Sequence, residues 1–142
     1  MAAEGGVRTF DLSVVTPDGA AFEGEAEMVI VPGAAGEIGV LARHAPLVAM
    51  LKAGEIRVKA GDEWQSFAAG PGYFKVQQDR AIALVDDAVA AADIDDARAR
   101  AQLEAAQAEL EAIERGESTA DRWQVEQRVR HAENQLAVAG RG

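Results

Sequence analysis

The acidic residues that follow position 85 are the side chains in this sequence best placed to do chemistry. Two neighbouring carboxylates can divide the roles of general acid and general base between them. Here, however, they fall where the sequence changes character and in the first turn of a predicted helix, where turn and capping roles explain them. We therefore favour a non-catalytic protein and keep a free-standing enzyme as an alternative. The carboxylates concerned are Asp86, Asp87, Asp93, Asp95 and Asp96.

Other residues suited to catalysis or metal binding do not occur in useful combinations. His44 and His131 lie in different segments without the spacing of metal ligands, and the chain has no cysteine. None of the serines lies in a Gly-x-Ser-x-Gly motif. The glycine-rich stretch 33–39 carries Glu37 where a phosphate-binding loop needs a cation. The sequence therefore predicts no catalytic residue, no metal site and no cofactor.

The charge of the chain excludes two further classes of function. A formal net charge of -10 over 142 residues argues against binding to nucleic-acid phosphates or to anionic lipid. A basic cluster near the end of the chain is interleaved with acidic residues and indicates a solvated face. The first six residues do not resemble a signal peptide, and no apolar run is long enough to span a bilayer. Any membrane association should therefore be peripheral and depend on partners.

Two kinds of secondary structure must position these residues. Between Val7 and Asp86, apolar residues recur at every second position and are separated by Pro- and Gly-containing turns, which predicts an antiparallel β-sandwich or barrel. From Ala88 onward the sequence consists of strong helix formers with no Gly or Pro before Gly116, which predicts two antiparallel helices. We expect a β-sandwich domain at residues 1–87 and a helix-turn-helix hairpin at residues 88–142.

The predicted hairpin has recognisable ends and a weak apolar seam. Asp93 is expected to cap the first helix, Gly116 to end it, and Ser118 to cap the second. Trp123 is expected on the apolar face of the second helix. A seam of alanines buries little apolar area, so the hairpin should dock on the sandwich or on another protein rather than fold alone. The alanines expected at the seam are Ala97, Ala101, Ala105, Ala108 and Ala112.

One loop and several shorter stretches resemble the epsilon subunit of F-type ATP synthases. The loop is Gly-Glu-Ile-Gly-Val-Leu-Ala-Arg-His-Ala-Pro-Leu at 36–47, and Val-Thr-Pro at 15–17 and Gly-Tyr-Phe-Lys-Val at 72–76 also fit. The resemblance implies a sandwich of about ten strands followed by a helical hairpin. It also implies a non-catalytic rotor subunit of the central stalk that couples c-ring rotation through gamma to the alpha/beta catalytic head, on the cytoplasmic face of a bacterial inner membrane.

The same resemblance suggests which residues contact partners. Glu37, Arg43 and His44 would be the polar contacts to gamma or to the c-ring. The alternative is that this loop merely forms a turn.

Two further family properties concern the hairpin. Ile-Asp-Asp-Ala-Arg-Ala at 94–99 resembles a motif with which some members bind regulatory ATP, which makes Asp95 and Arg98 nucleotide ligands and the protein a nucleotide sensor. Val89 and Ala105 depart from that pattern, and an Asp95 to Arg98 pair would equally suit a first helical turn. Family hairpins can also extend and block ATP hydrolysis. The arginines available for such inhibitory contacts are Arg115, Arg122, Arg128 and Arg130.

Overall fold

The computed structural model describes residues 8–140 as ten β-strands followed by two helices. Outside the described residues lie 1–7, which include Val7 and the six residues compared above with a signal peptide, and 141–142. The strands are β1 Phe10–Thr16, β2 Gly19–Ala26, β3 Met28–Gly33, β4 Gly36–Leu41, β5 Leu47–Leu51, β6 Gly54–Ala60, β7 Glu63–Ala69, β8 Gly72–Gln77, β9 Arg80–Val85 and β10 Ala88–Ala90. The expected number of about ten strands is confirmed.

The strands form one continuous sheet that folds back on itself. Its order is β10-β7-β6-β3-β5-β8-β9-β1-β2, with β4 paired to β3, and β1 and β9 are parallel whereas the other neighbours are antiparallel. The sheet bends where β3 and β5 share a single register pair, Gly33 with Leu51. Strands from the two ends of this order, β10 and β2, come into contact. The predicted sandwich, closed almost to a barrel, is therefore confirmed.

The core follows from the period of two in the sequence. Phe10, Leu12 and Val14 alternate with exposed or half-buried residues on β1, and Ile56 and Val58 do the same on β6. Successive side chains of a strand point to opposite faces of the sheet, so every second residue faces inward. The inward-facing residues of the two layers meet in a single core. Phe74 lies completely buried within it.

The boundary between sheet and hairpin falls slightly later than residue 87. Ala88–Ala90 is β10 and pairs with Phe67–Ala69 of β7, so the sheet continues beyond residue 87, where the sandwich was predicted to end. A 3₁₀ turn follows at Ala91–Asp93, and the helices are α1 Asp96–Glu114 and α2 Arg122–Ala139. A division into two domains remains a proposal, which the structure leads us to place near residue 91.

Both predicted helix caps are displaced by a few residues. Asp93 lies in the 3₁₀ turn, and it is Asp95 whose carboxylate accepts the backbone N–H of Arg98 at 3.1 Å. Ser118 hydrogen-bonds Glu109 and the N–H of Ala120, and Asp121 caps α2 instead. A serine can close a local turn as well as cap a helix, and Ser118 closes the turn before α2. The predicted stop at Gly116, which has a φ of +75°, is confirmed.

The seam between the helices also differs from the predicted stripe. Ala97, Ala101, Ala105 and Ala108 are exposed, as is Trp123, and the buried alanines of α1 are Ala99 and Ala106. The buried face alternates these alanines with larger residues at spacings of four and three, and more apolar area is removed from water there than by alanines alone. The α1 residues on this face are Ala99, Leu103, Ala106, Leu110 and Ile113.

Neither helix in the described part of the chain is long and apolar enough to cross a membrane.

Candidate functional site

The loop between β4 and β5 holds Arg43 and His44 in a fixed conformation. Arg43 has a φ of +67°, and its backbone N–H donates a 2.6 Å hydrogen bond to Oδ1 of Asp79 in the turn between β8 and β9. The Nδ1 atom of half-buried His44 lies 2.7 Å from the carbonyl oxygen of Ala45. A residue other than Gly with positive φ persists only where its surroundings hold it. The exposed side chain of Arg43 is therefore presented from a well-anchored backbone.

Glu37 lies at the opposite end of β4 from this loop. Its side chain is 63% exposed and approaches the guanidinium of Arg57 at 3.5 Å. Four residue steps of extended strand, a span of about 13 Å, separate Glu37 from Leu41, and Arg43 lies in the turn beyond. The structure therefore does not bring the three predicted contact residues together: Arg43 and His44 form one site and Glu37 another.

An exposed apolar surface crosses three neighbouring strands on one layer of the sandwich. Met50, Tyr73 and Leu84 are consecutive register partners on β5, β8 and β9, and Val48 lies two residues before Met50 on the same side of β5. Their exposed fractions are 61%, 57%, 48% and 71% respectively. We call these four residues the apolar face. Large apolar side chains gathered on one sheet surface mark a place where a partner binds.

The sequence prediction did not identify the apolar face. A signal was present, because Leu47 to Leu51 is apolar on both sides of the strand and not only on alternate residues. Such a run is typical of a strand covered on both faces. In this chain one of its faces lies against the core and the other is exposed.

The second candidate site is a cleft of about 560 Å³ between the hairpin and the end of the sandwich. Its walls come from the segment after β9, the 3₁₀ turn and both helices. Asp95 and Arg98, predicted as nucleotide ligands, both line it, as do Val89 and Ala105, the two departures from the family pattern. The remaining lining residues are Asp87, Asp93, Ile94, Gln102, Ala106, Arg128, His131 and Gln135.

The charges in the cleft are mixed. Asp95 uses its carboxylate to cap α1 and forms no ion pair with the guanidinium of Arg98, contrary to the i, i+3 pair that the sequence suggested. Within residues 8–140, neither Arg98 nor Arg128 has a carboxylate partner. His131 Nε2 lies 3.5 Å from Asp87 Oδ2 across the cleft. Two arginines without partners could therefore meet an anionic ligand there, beside three nearby aspartates.

The four arginines predicted to make inhibitory contacts do not form one surface. Arg115 pairs with Glu117 at 2.9 Å, and Arg122 lies 3.6 Å from both Glu114 and Glu126, all near the turn of the hairpin. The positive charge of Arg115 and Arg122 is thus largely neutralised by their neighbours.

The other two arginines lie away from the turn of the hairpin. Arg128 faces the cleft, and Arg130 lines a separate groove with Lys52 and Trp123.

Comparisons with known proteins agree with this architecture. Residues 9–91 match the family described as ATP synthase, Delta/Epsilon chain, beta-sandwich domain. The chain is 39% identical to the ATP synthase epsilon chain of Halalkalibacterium halodurans, over 94% of this chain and 98% of that one. It is 33% identical to the ATP synthase epsilon chain of a Synechocystis species, over 93% and 97% of the two chains.

Solved structures share the fold at lower sequence identity. One chain from the cryo-EM structure of Euglena gracilis mitochondrial ATP synthase, described as OSCP/F1/c-ring, has a TM-score of 0.77 at 22% identity, covering 96% of this chain and 86% of that one. Another, from the central stalk and c-ring of the Tetrahymena thermophila enzyme, has a TM-score of 0.58 at 11% identity, covering 93% and 97%.

A sandwich with an exposed apolar face and a docked helical hairpin defines a protein that works by binding partners. The sequence matches identify which one: the chain belongs to the ATP synthase epsilon chain family. It is a non-catalytic subunit of that complex, and the resemblance inferred from the loop at 36–47 is confirmed.

Proposed function

We propose that this epsilon chain turns with the central stalk of a proton-translocating ATP synthase and passes c-ring rotation through gamma to the alpha/beta head. The apolar face carries this proposal, because four exposed apolar side chains on adjacent strands need a protein surface to cover them. Transmitted torque needs contacts that do not deform, and a close-packed sandwich core provides a stiff support behind that face.

The positions of the polar residues divide the contacts between two partners. Arg43 and His44 adjoin the end of β5 that carries Val48, so we assign them with the apolar face to gamma. Glu37 lies at the far end of β4, beside Met50 at the edge of the apolar face, and we assign it to the c-ring. The pairing of Glu37 with Arg57 leaves its exposed carboxylate available for a second hydrogen bond.

Co-purification tests the stalk role directly. We expect the full chain to bind purified gamma in a one-to-one complex and to enter the alpha/beta/gamma head. The measurement is size-exclusion chromatography with light scattering, with the head lacking gamma as the control. A chain that binds the alpha/beta hexamer equally well without gamma would contradict the assignment of the apolar face.

The location follows from these partners. A c-ring lies in a membrane, so a chain attached to it through Glu37 associates peripherally with that membrane. Relatives at 39% and 33% identity come from bacteria, which supports the cytoplasmic face of a bacterial inner membrane as the site of this chain.

A second candidate function is that of an ATP sensor, and the cleft favours it. Arg98 and Arg128 enter the cleft from different helices, so a phosphate group bound by both would hold α1 and α2 together. Val89 and Ala105 supply no polar group, and the three aspartates oppose a polyphosphate. The binding of ATP should therefore be weak, in the range of about 0.1 to 1 mM, which corresponds to roughly 4 to 5.5 kcal/mol.

Replacing Arg98 by alanine should weaken ATP binding by about tenfold or more, because a charge-assisted hydrogen bond to phosphate is lost. Isothermal titration calorimetry at millimolar ATP measures the effect. Arg100→Ala is the matched control, since Arg100 lies on the same helix and pairs with Asp96 at 3.5 Å outside the cleft. The sensor proposal is withdrawn if the native chain releases no heat or if both variants behave alike.

A further inference from the structure

The hairpin is attached to the sandwich through α2. This helix contacts β6, β7 and the 3₁₀ turn, whereas the extensive contacts of α1 are with α2 itself. The apolar part of the attachment is small, consisting of buried Ala68, Ala91 and Val138 with Ile94 packed beside them. Because two alanines and a valine remove little apolar area from water, this contact alone determines neither where α2 docks on the sandwich nor how strongly it docks.

A polar contact at the same junction is more specific. Asn134 of α2 donates hydrogen bonds from Nδ2 to the carbonyl oxygens of Gly54 and Ala69, at 3.0 Å and 3.3 Å. Gly54 and Ala69 are register partners at one end of the β6–β7 pair, so one amide group binds both strands at once. An amide nitrogen carries two hydrogens, and here both have an acceptor.

A second polar contact between α2 and the sandwich is weaker. His131 and Asp87 face each other at 3.5 Å, with both side chains 41% exposed. Exposed ion pairs contribute little to stability, and this one requires a protonated imidazole. Asn134 is half-buried, and its two bonds do not depend on protonation. The orientation of α2 on the sandwich is therefore determined mainly by this residue.

We propose that Asn134 is the latch of the hairpin: its amide sets the fraction of chains in which α2 is docked on the strand ends at Gly54 and Ala69. The cleft exists only while α2 is docked, because Arg128, His131 and Gln135 form one of its walls. Opening the latch would thus remove the cleft and free the hairpin. The consequence for regulation rests on the proposed function, whereas the docking equilibrium itself does not.

Two substitutions test the latch in the full isolated chain. Asn134→Leu removes both donors, and Asn134→Asp places a carboxylate against two carbonyl oxygens. The docking equilibrium constant should fall by roughly tenfold for leucine and further for aspartate. Gln124→Glu is the control, because it adds the same charge to an exposed position of α2.

Spin-label distances provide the measurement. The chain has no cysteine, so cysteines introduced at exposed Glu63 and Gln107 place one label on β7 and one on α1. We expect one narrow distance for the native chain and for Gln124→Glu, and a broad, longer distribution for both Asn134 variants. Near-ultraviolet circular dichroism reports whether the sandwich remains folded, and the leucine variant decides the matter if the aspartate variant unfolds.

Two results would overturn the latch: a docking equilibrium constant in the Asn134 variants within twofold of the native one, or an equal fall of that constant in the control. Hydrolysis of ATP by the assembled head is a separate measurement. Variants that undock in isolation but leave hydrolysis unchanged would support the latch and contradict a regulatory role for the hairpin.

Discussion

A chain carrying Tyr73→Glu should bind gamma at least a hundredfold more weakly than the native chain. Tyr73 lies at the centre of the apolar face, between Met50 and Leu84 in register. A carboxylate in that position must lose its water when gamma covers the face and would find no partner among the flanking apolar side chains. Titration of labelled chain with gamma, by fluorescence anisotropy, measures the change.

The substitution should leave the free chain folded, because Tyr73 is 57% exposed and a solvent-facing change has a small effect on the free energy of unfolding. Trp64→Glu is the matched control: Trp64 is an aromatic residue of similar exposure, 49%, on β7 in the other layer of the sandwich. Equal loss of binding in both variants, or native affinity in Tyr73→Glu, would show that the apolar face is not the gamma contact.

Local patterns were sufficient to predict the β-sandwich. Alternation on β1 and β6 correctly separates buried Leu12 and Ile56 from their exposed or half-buried neighbours, because in a strand the side-chain direction depends only on position in the chain. The predicted alanine stripe on α1 was wrong because several faces of this helix carry alanine. The buried face is the one that also carries Leu103, Leu110 and Ile113, and their helical spacing is a local signal that outweighs the alanines.

The candidate sites show where local patterns become insufficient. Asp95 and Arg98 are close in sequence and were predicted together, but the opposite wall of the cleft includes Asp87 and His131, which only the docked hairpin brings near each other. Glu37 and Arg43 were predicted as one site because they share a loop motif, yet an extended strand between them separates their side chains. The apolar face requires knowledge of which strands are neighbours, and no single segment contains it.

Chain truncation gives the second large effect. A chain ending at Ile94 retains β10, whose residues Ala88–Ala90 pair with β7, and loses both helices. It should fold, because the main core cluster lies entirely within residues 10–90 and the hairpin covers only the small cluster at Ala68 and Ala91. A chain ending at residue 87 should be less stable, since removing β10 exposes the edge of β7.

The truncated chain should also change the activity of the assembled enzyme. If the hairpin restrains the alpha/beta head, hydrolysis of ATP by a head carrying residues 1–94 should rise by roughly fivefold or more, in the range of allosteric coupling free energies of about 1 to 3 kcal/mol. The apolar face is intact in this chain, so gamma binding and rotation-coupled ATP synthesis should persist.

Three assembled heads locate the inhibitory contact. They carry the full chain, residues 1–94, or the full chain with both Arg115→Ala and Arg122→Ala. Arg115 and Arg122 already pair with Glu117, Glu114 and Glu126, so their replacement should change hydrolysis by less than about twofold. If the double replacement raises ATP hydrolysis as much as the truncation does, the inhibitory contact lies at the turn of the hairpin. Equal hydrolysis in all three heads would instead mean that the hairpin does not inhibit, and an unfolded 1–94 chain would disprove the boundary near residue 91.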